Sequence, residues 1–222
     1  MKNVISVKSI TFGYPKKEKI FQNFSVEFNQ NEITGIIGKN GSGKTTLGKL
    51  ACGILKPSRG EIFAWGKHIS EMTLGEIGKN IGYLYQSPER QLFALSVYDE
   101  LSFPLELEGV SKDEINRRVE HQLEEYDLLH LKMHKPFTLS RGEKQRLALA
   151  AILMRTPKML ILDEPTTSLD YIRKSMLGDI IEKLKNKGIG VIIISHDMEF
   201  IALHANRIIE IENGRLKRDE YK

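Results

Sequence analysis

The residues most able to do chemistry lie together in Gly38-Lys39-Asn40-Gly41-Ser42-Gly43-Lys44-Thr45-Thr46, directly after the apolar run Ile33-Thr34-Gly35-Ile36-Ile37. The spacing is G-x-x-x-x-G-K-[ST], and its context of strand, loop and helix start is the one that makes this pattern a phosphate cradle. Gly38, Gly41 and Gly43 lack a Cβ, so the backbone can take left-handed angles and bring its N–H groups against phosphate oxygens. The helix that follows turns its positive end toward the same oxygens. Lys44 supplies a point charge for the β- and γ-phosphates, and the Thr45 hydroxyl can hold Mg²⁺. The expected nucleotide contacts are therefore Gly38, Asn40, Gly41, Ser42, Gly43, Lys44, Thr45 and Thr46.

A second group of reactive residues closes another apolar run, Met159-Leu160-Ile161-Leu162-Asp163-Glu164. An Asp at the end of such a strand holds Mg²⁺ in phosphate-loop NTPases. The adjacent Glu164 is placed to polarise water for attack on a γ-phosphate, a contribution of about 10²–10⁴-fold in rate. Other candidates carry less. His130 and His134 are spaced i, i+4, but no third metal ligand lies near them in sequence. Cys52 stands alone within Leu50-Ala51-Cys52-Gly53-Ile54-Leu55 and reads as a small core residue.

The elements that must position these groups can be read from the periodicity. Val4–Ile10, Phe24–Phe28 and Glu61–Trp65 read as half-buried strands. Ile33–Ile37, Ile81–Tyr85, Met159–Leu162 and Val191–Ile194 are short and continuously apolar, as buried strands of a mostly parallel sheet are. Helices are expected over Lys44–Cys52, Tyr171–Asn186 and Met198–His204, and Asn213-Gly214 signals a hairpin. Between Gln86 and Pro157 the pattern turns helical. Ser111-Lys112-Asp113-Glu114 reads as a capping box before the stripe Ile115, Val119, Leu123, Tyr126. Ser140-Arg141-Gly142-Glu143 reads as a second box, opening a helix over Lys144–Met154. The expected fold is α/β: a phosphate-loop NTPase core with an antiparallel β part, over about 1–86 and 158–222. An α-helical subdomain is inserted over about 87–157.

Composition excludes other classes. With 222 residues and 28% charged, the chain suits one large globular domain with an insertion. One cysteine rules out an internal disulfide framework. No run approaches 18 apolar residues, and the N-terminus reads as a strand rather than a signal peptide, so a cytosolic chain is expected. The net charge of +4 is spread out and argues against a nucleic-acid surface.

The order of short motifs carries a resemblance. The phosphate loop, Gln86 after a strand, Leu139-Ser140-Arg141-Gly142-Glu143, Leu162-Asp163-Glu164-Pro165, Ser168-Leu169-Asp170 and Ser195-His196-Asp197 follow one another as in the ATP-binding-cassette ATPases. The resemblance covers essentially the whole chain and implies a RecA-like core, ATP and Mg²⁺. It implies that Tyr14, in Phe12-Gly13-Tyr14-Pro15, stacks on adenine. Gln86 would contact Mg²⁺ and the attacking water, Asp163 would bind Mg²⁺, and Glu164 would be the catalytic glutamate. His196 would sit at the γ-phosphate and Asp170 at a dimer interface. Ser140 and Gly142 would touch the ATP of a second chain, whether the same chain or a related one. The signature departs from the family's Leu-Ser-Gly-Gly-Gln at Arg141 and Glu143. Ser87-Pro88-Glu89-Arg90-Gln91-Leu92-Phe93-Ala94, followed by Val97-Tyr98-Asp99-Glu100-Leu101, resembles the ATPase subunits of energy-coupling-factor importers of vitamins and metal ions. That implies a peripheral subunit on the cytoplasmic face of the membrane, driving integral membrane partners. The other readings are an ATPase of another transporter class and a soluble ATP-binding-cassette protein. The latter usually carries coiled coils or tandem cassettes, and neither is present here.

Overall fold

The computed structural model describes residues 3–167 and 169–222; Ser168, the first residue of the Ser168-Leu169-Asp170 motif, lies outside them. Residue contacts gather the chain into two units, Met1–Tyr83 with Lys158–Lys222, and Leu84–Pro157.

The chain opens with β1 (Asn3–Gly13), β2 (Lys19–Asn29) and β3 (Ile33–Ile37), then α1 (Lys44–Ala51), β4 (Arg59–Ala64) and β5 (Lys67–His68). After α2 (Leu74–Asn80) and β6 (Ile81–Leu84) come α3 (Val97–Leu107), α4 (Lys112–Glu125) and α5 (Arg141–Leu153). The remainder is β7 (Met159–Asp163), α6 (Tyr171–Asn186), β8 (Gly190–Ile194), α7 (Met198–His204), β9 (Arg207–Glu212) and β10 (Arg215–Tyr221).

In the first unit, β2-β1-β4-β5 form an antiparallel sheet. A second sheet has the order β10-β9-β3-β8-β7-β6. In it β9, β3, β8 and β7 run parallel, while β10 returns antiparallel beside β9. Every residue of β3, β7 and β8 is buried, which explains their unbroken apolar sequence. β9 alternates because only one of its faces is covered, and the edge strand β10 is exposed throughout. Asn213 (φ 50°) and Gly214 (φ 70°) join β9 to β10 in the left-handed geometry that tight hairpins need. The parallel register sets Ile36 beside Ile194 and Ile194 beside Asp163. Three strand ends, β3, β8 and β7, therefore stop side by side. In open α/β sheets, the carboxyl ends of the strands are where ligands bind.

In the second unit, α3 packs against α4 and α5 around Leu101, Leu105, Val119, Leu123 and Leu147, all fully buried. Burying a side chain of this kind stabilises the fold by about 1.5–3 kcal/mol. The two expected capping boxes differ. At Ser140 both halves form: Ser140 Oγ accepts the Glu143 N–H, and the Glu143 carboxylate accepts the Ser140 N–H at 2.7 Å. The helix consequently starts at Arg141, three residues before the expected Lys144. At Ser111 no side-chain cap forms. Glu114 is held instead by the Arg117 guanidinium at 2.9 and 2.8 Å, so its carboxylate does not reach back to Ser111. His130 is the middle residue of a short 3₁₀ turn, Leu129–Leu131, and His134 lies beyond it, so no helix face carries both.

Candidate functional site

The loop between β3 and α1 is built on three left-handed glycines, Gly38 (φ 144°), Gly41 (φ 81°) and Gly43 (φ 108°). Two of them are also sterically fixed. A Cβ on Gly38 would lie 2.2 Å from the Ile211 carbonyl oxygen, and one on Gly43 would meet Phe21 and Ile20. A Cβ on Gly41 would meet no heavy atom within 4 Å, so there the loop faces open space. Lys44 is 6% exposed, and its Nζ donates to the carbonyl oxygens of Gly38 (2.7 Å) and Lys39 (3.1 Å). Ser42 Oγ is buried and has no protein partner. The loop thus offers a cation and a free hydroxyl at the start of a helix, which fits an anionic group. Tyr14 is half-buried; its ring meets Phe12 edge-on and its hydroxyl lies 3.4 Å from Thr46 Oγ1.

The β7 strand end delivers Asp163 to the same place. Thr45 Oγ1 donates to Asp163 Oδ1 at 2.9 Å, and Tyr83 Oη donates to Asp163 Oδ2 at 2.9 Å. Burial pushes the Asp163 carboxyl above the usual carboxylate range, against the pull of those two hydroxyls. Thr45 and Asp163 fit a magnesium ion. Thr45 Oγ1 and Asp163 Oδ1 are oxygen donors brought within 2.9 Å of each other, and oxygen is the donor type that magnesium takes. Among the described residues no group of three or more His, Cys, Asp or Glu gathers as a metal site. Magnesium, which keeps most of its own water and needs few protein oxygens, suits such a site.

Glu164 follows at φ 52°, a left-handed angle that costs a non-glycine residue on the order of 1–3 kcal/mol. The surrounding bonds hold it there. Its N–H donates to the Ile194 carbonyl oxygen at 2.8 Å, and its carboxylate oxygen lies 2.7 Å from His196 Nδ1. Ser195, buried between them, places its hydroxyl 3.5 Å from the Glu164 carboxylate and 3.4 Å from Thr166 Oγ1. The His196 ring is exposed and the Glu164 side chain is largely buried. The arrangement is a carboxylate able to accept a proton from water, beside an imidazole able to donate to or accept from a phosphate oxygen.

Other expected site residues sit in separate local settings. Asp170 caps α6, accepting the Arg173 N–H at 2.9 Å and pairing with its guanidinium at 3.0 Å. Gln86, Ser140 and Gly142 belong to the second unit, where Gln86 and Ser140 are exposed. After Gln86 the chain is shaped by two side chains. Gln91 Oε1 accepts the Tyr85 N–H at 2.8 Å, and the buried Glu100 carboxylate accepts the N–H groups of Phe93 and Ala94. Burial raises the Glu100 carboxyl above its ordinary range. This segment leaves Phe93, Leu95, Phe103 and Leu107 exposed, with the Phe93 and Phe103 rings 5.1 Å apart. Tyr83 and Thr166 join the site without a motif of their own, and Ser195 joins it from within Ser195-His196-Asp197. Tyr83 and Asp163 are 80 positions apart, and only the apolar, strand-like setting of Tyr83 hinted that its hydroxyl would need a partner.

The family model described as ABC transporter matches residues 21–167. The chain is 37% identical over 214 residues to a putative ABC transporter ATP-binding protein of Pyrococcus furiosus, covering 96% of this chain and 82% of that protein. It is 36% identical over 224 residues to another from Caldanaerobacter subterraneus subsp. tengcongensis, covering 99% of this chain but only 39% of that longer protein. Among solved structures it is similar to cbiO1 of Clostridium perfringens, part of the ABC transporter complex cbiONQ. That match has a TM-score of 0.88 and 33% identity, over 100% of this chain and 89% of the other. It is also similar to a dimeric ATP-binding cassette in a post-hydrolysis state bound to ADP and Pi, with a TM-score of 0.87 and 25% identity over 98% of each chain. The chain belongs to the ABC transporter family and carries the fold of its ATP-binding ATPase domain.

Proposed function

We propose that this chain is the ATP-hydrolysing subunit of a membrane transporter, an importer of the energy-coupling-factor kind. The observation that carries the hydrolytic part is Glu164, held at a left-handed angle and 2.7 Å from His196, one residue beyond the Asp163–Thr45 pair. Lys44 and the loop N–H groups hold the phosphates, and Tyr14 stacks on the adenine. Thr45, Asp163 and Gln86 would hold Mg²⁺, which when bound neutralises charge developing between the β- and γ-phosphates. Glu164 accepts a proton from the water whose oxygen bonds to the γ-phosphorus, as the bond to the β-phosphate oxygen breaks. His196 donates to the γ-phosphate oxygens, and ADP and phosphate leave. Ser140, Gly142 and Asp170 serve the nucleotide of a second ATPase chain across a dimer. The dimeric post-hydrolysis cassette that this chain resembles supports that arrangement.

Membrane partners are supported by the likeness to cbiO1, part of a transporter complex. The exposed apolar side chains Phe93, Leu95, Phe103 and Leu107 support them too, with the Phe93 and Phe103 rings in contact, because exposed apolar surface of this kind marks an interaction surface. No helix among the described residues is long and apolar enough to cross a membrane. Vitamins or metal ions as cargo are carried over from the energy-coupling-factor resemblance of Ser87–Ala94 alone.

Glu164→Gln tests the reading. Turnover should slow by about 10²–10⁴-fold while ATP binding, followed with a fluorescent analogue, persists and an ATP-bound dimer accumulates on size exclusion. Near-normal steady-state turnover would remove Glu164 from the proton-accepting role.

A further inference from the structure

His196 presents an exposed ring on a short connection between β8 and α7, and the hydrogen bond from its ring goes to Glu164, the group it must work beside. What fixes the connection itself is Asp197. Its N–H donates to Ser195 Oγ at 3.0 Å, and its Oδ1 accepts the Phe200 N–H at 3.1 Å. Its Oδ2 takes the Lys174 Nζ at 2.5 Å. Lys174 stands on α6, one turn after the capping Asp170. The Asp197 side chain is 14% exposed and that of Lys174 35%, so the pair is partly shielded from water. Burial alone would raise the Asp197 carboxyl. The hydrogen bond and charge of Lys174, with the Phe200 N–H and the Thr166 hydroxyl, outweigh it and hold the group below the usual carboxylate range. The packing of α6 on α7 has a second contact besides this pair, the His204 ring seated over Gly178, where a Cβ would come within 2.3 Å, and tilted against Phe200.

We propose that Lys174 is a positioning residue for His196: by clamping Asp197 to α6 it fixes the loop from which the imidazole reaches the γ-phosphate. The inference rests on the ATP-hydrolysis reading above. Asp170 and Lys174 lie on the same turn-to-turn edge of α6, so the helix that begins at the expected dimer contact also holds the residue next to the imidazole.

The test combines ATPase kinetics of the full chain with imidazole resonances of the nucleotide-free protein. Lys174→Met should lower kcat on the order of 10–100-fold and leave KM for ATP within about twofold, the signature of an interaction used in the chemical step. Lys174→Arg, which keeps the cation, should recover most of the rate. The double variant Lys174→Met with His196→Gln should be no slower than His196→Gln alone, because the two act through one group. The His196 ring signals, identified by their loss in His196→Gln, should shift or broaden in Lys174→Met, while those of His68 stay in place. Wild-type kcat in Lys174→Met overturns the proposal, as does full additivity in the double variant or an unmoved His196 signal. If His196→Gln itself keeps wild-type kcat, the role of His196 in hydrolysis falls and the proposal falls with it. A slow His196→Gln beside a normal Lys174→Met removes the proposal alone.

Discussion

The six-stranded sheet carries buried ionic groups at both ends of its strands, and the most deeply buried of them, Lys44 and Asp163 at one end and Arg207 and Glu32 at the other, are treated in opposite ways. At the carboxyl ends, among the described residues, neither Lys44 nor Asp163 has an ion-pair partner. Lys44 rests on two carbonyl oxygens and Asp163 on two hydroxyls, and burial raises the Asp163 carboxyl. At the amino ends the buried Arg207 and Glu32 face opposite charge. Arg207, 6% exposed, grips Asp219 with two hydrogen bonds of 2.6 and 2.7 Å and donates to the Glu27 carbonyl oxygen. It also lies 3.3 Å from Glu32 and over the Tyr221 ring. Glu32 in turn accepts from Asn29 and Thr34. The hydrogen bonds and charge of Asp219, set against burial, raise the Arg207 guanidinium further above its ordinary value. The difference separates two uses of buried charge. Groups left with neutral partners are prepared for a ligand of opposite sign, whereas groups fully paired inside the protein hold architecture. In this chain the paired end ties the exposed strand β10 to β9 and to the β2–β3 junction.

The largest expected effect is on the paired end. Arg207→Leu leaves the buried Glu32 carboxylate without its cation, and the exposed Asp219 unpaired, and should destabilise the protein by about 3–5 kcal/mol, read by urea unfolding. The ATP affinity of the molecules that remain folded should not change. Lys44→Ala should do the reverse. ATP affinity should fall by the worth of a charge-assisted contact, about 1.5–3 kcal/mol or 10–100-fold, with stability nearly unchanged. If Arg207→Leu weakened ATP binding as much as Lys44→Ala does, the two ends would not be separable.

Asp163→Asn sharpens the contrast through its sign. A carboxyl whose folded pKa is raised binds its proton more tightly in the native state. Its contribution therefore favours folding at low pH and is lost as pH rises through the carboxylate range toward the raised value. At neutral pH and without magnesium, the wild-type chain carries that penalty and the Asn variant does not. The variant should be more stable by about 1 kcal/mol, a gain that shrinks on acidification, while magnesium-dependent hydrolysis is lost. A variant less stable than wild type at neutral pH would show that Asp163 is part of the architecture after all.

The same contrast explains what could be read from the sequence. The unpaired end was legible because a ligand site needs residue types at fixed short spacings: the glycine loop with Lys44 and Thr45, Asp163-Glu164 after an apolar run, and Ser195-His196-Asp197. The buried strands and the helices Tyr171–Asn186 and Met198–His204 were legible from periodicity and caps. The paired end was not, because its partners lie far apart along the chain. Arg207 and Glu32 are 175 positions apart, and β10, exposed throughout, has no apolar alternation to announce it. The Asn213-Gly214 turn alone marked the hairpin. Local rules also failed where side chains had a second choice. The Ser111 box lost Glu114 to Arg117, while Thr73 and Glu76 form a complete box at α2 from the same S/T-x-x-E spacing.

The smallest predicted effect is the most direct measure of the contrast, because it deletes one hydroxyl at each end of the same sheet. Thr34 Oγ1 is buried and donates to Glu32 Oε1 at 2.7 Å. Thr34→Val keeps the shape and removes the donor, leaving a buried carboxylate oxygen one partner short, which should cost about 1–3 kcal/mol of stability. Ser42 Oγ is just as buried but has no protein partner, so Ser42→Ala removes nothing that the folded chain uses. Its stability should stay within about 0.5 kcal/mol of wild type or rise slightly, since an unsatisfied polar atom leaves the interior. Its effect should appear only with nucleotide: ATP affinity should drop by about 1 kcal/mol, roughly fivefold, the net worth of one hydrogen bond. Thermal melts of the two variants, with and without ATP, give all four numbers. Equal losses of stability without ATP would mean that the Ser42 hydroxyl has a structural partner. A Ser42→Ala variant unchanged in both states would mean that the hydroxyl does not face the phosphates, leaving Lys44 and the loop N–H groups to hold them.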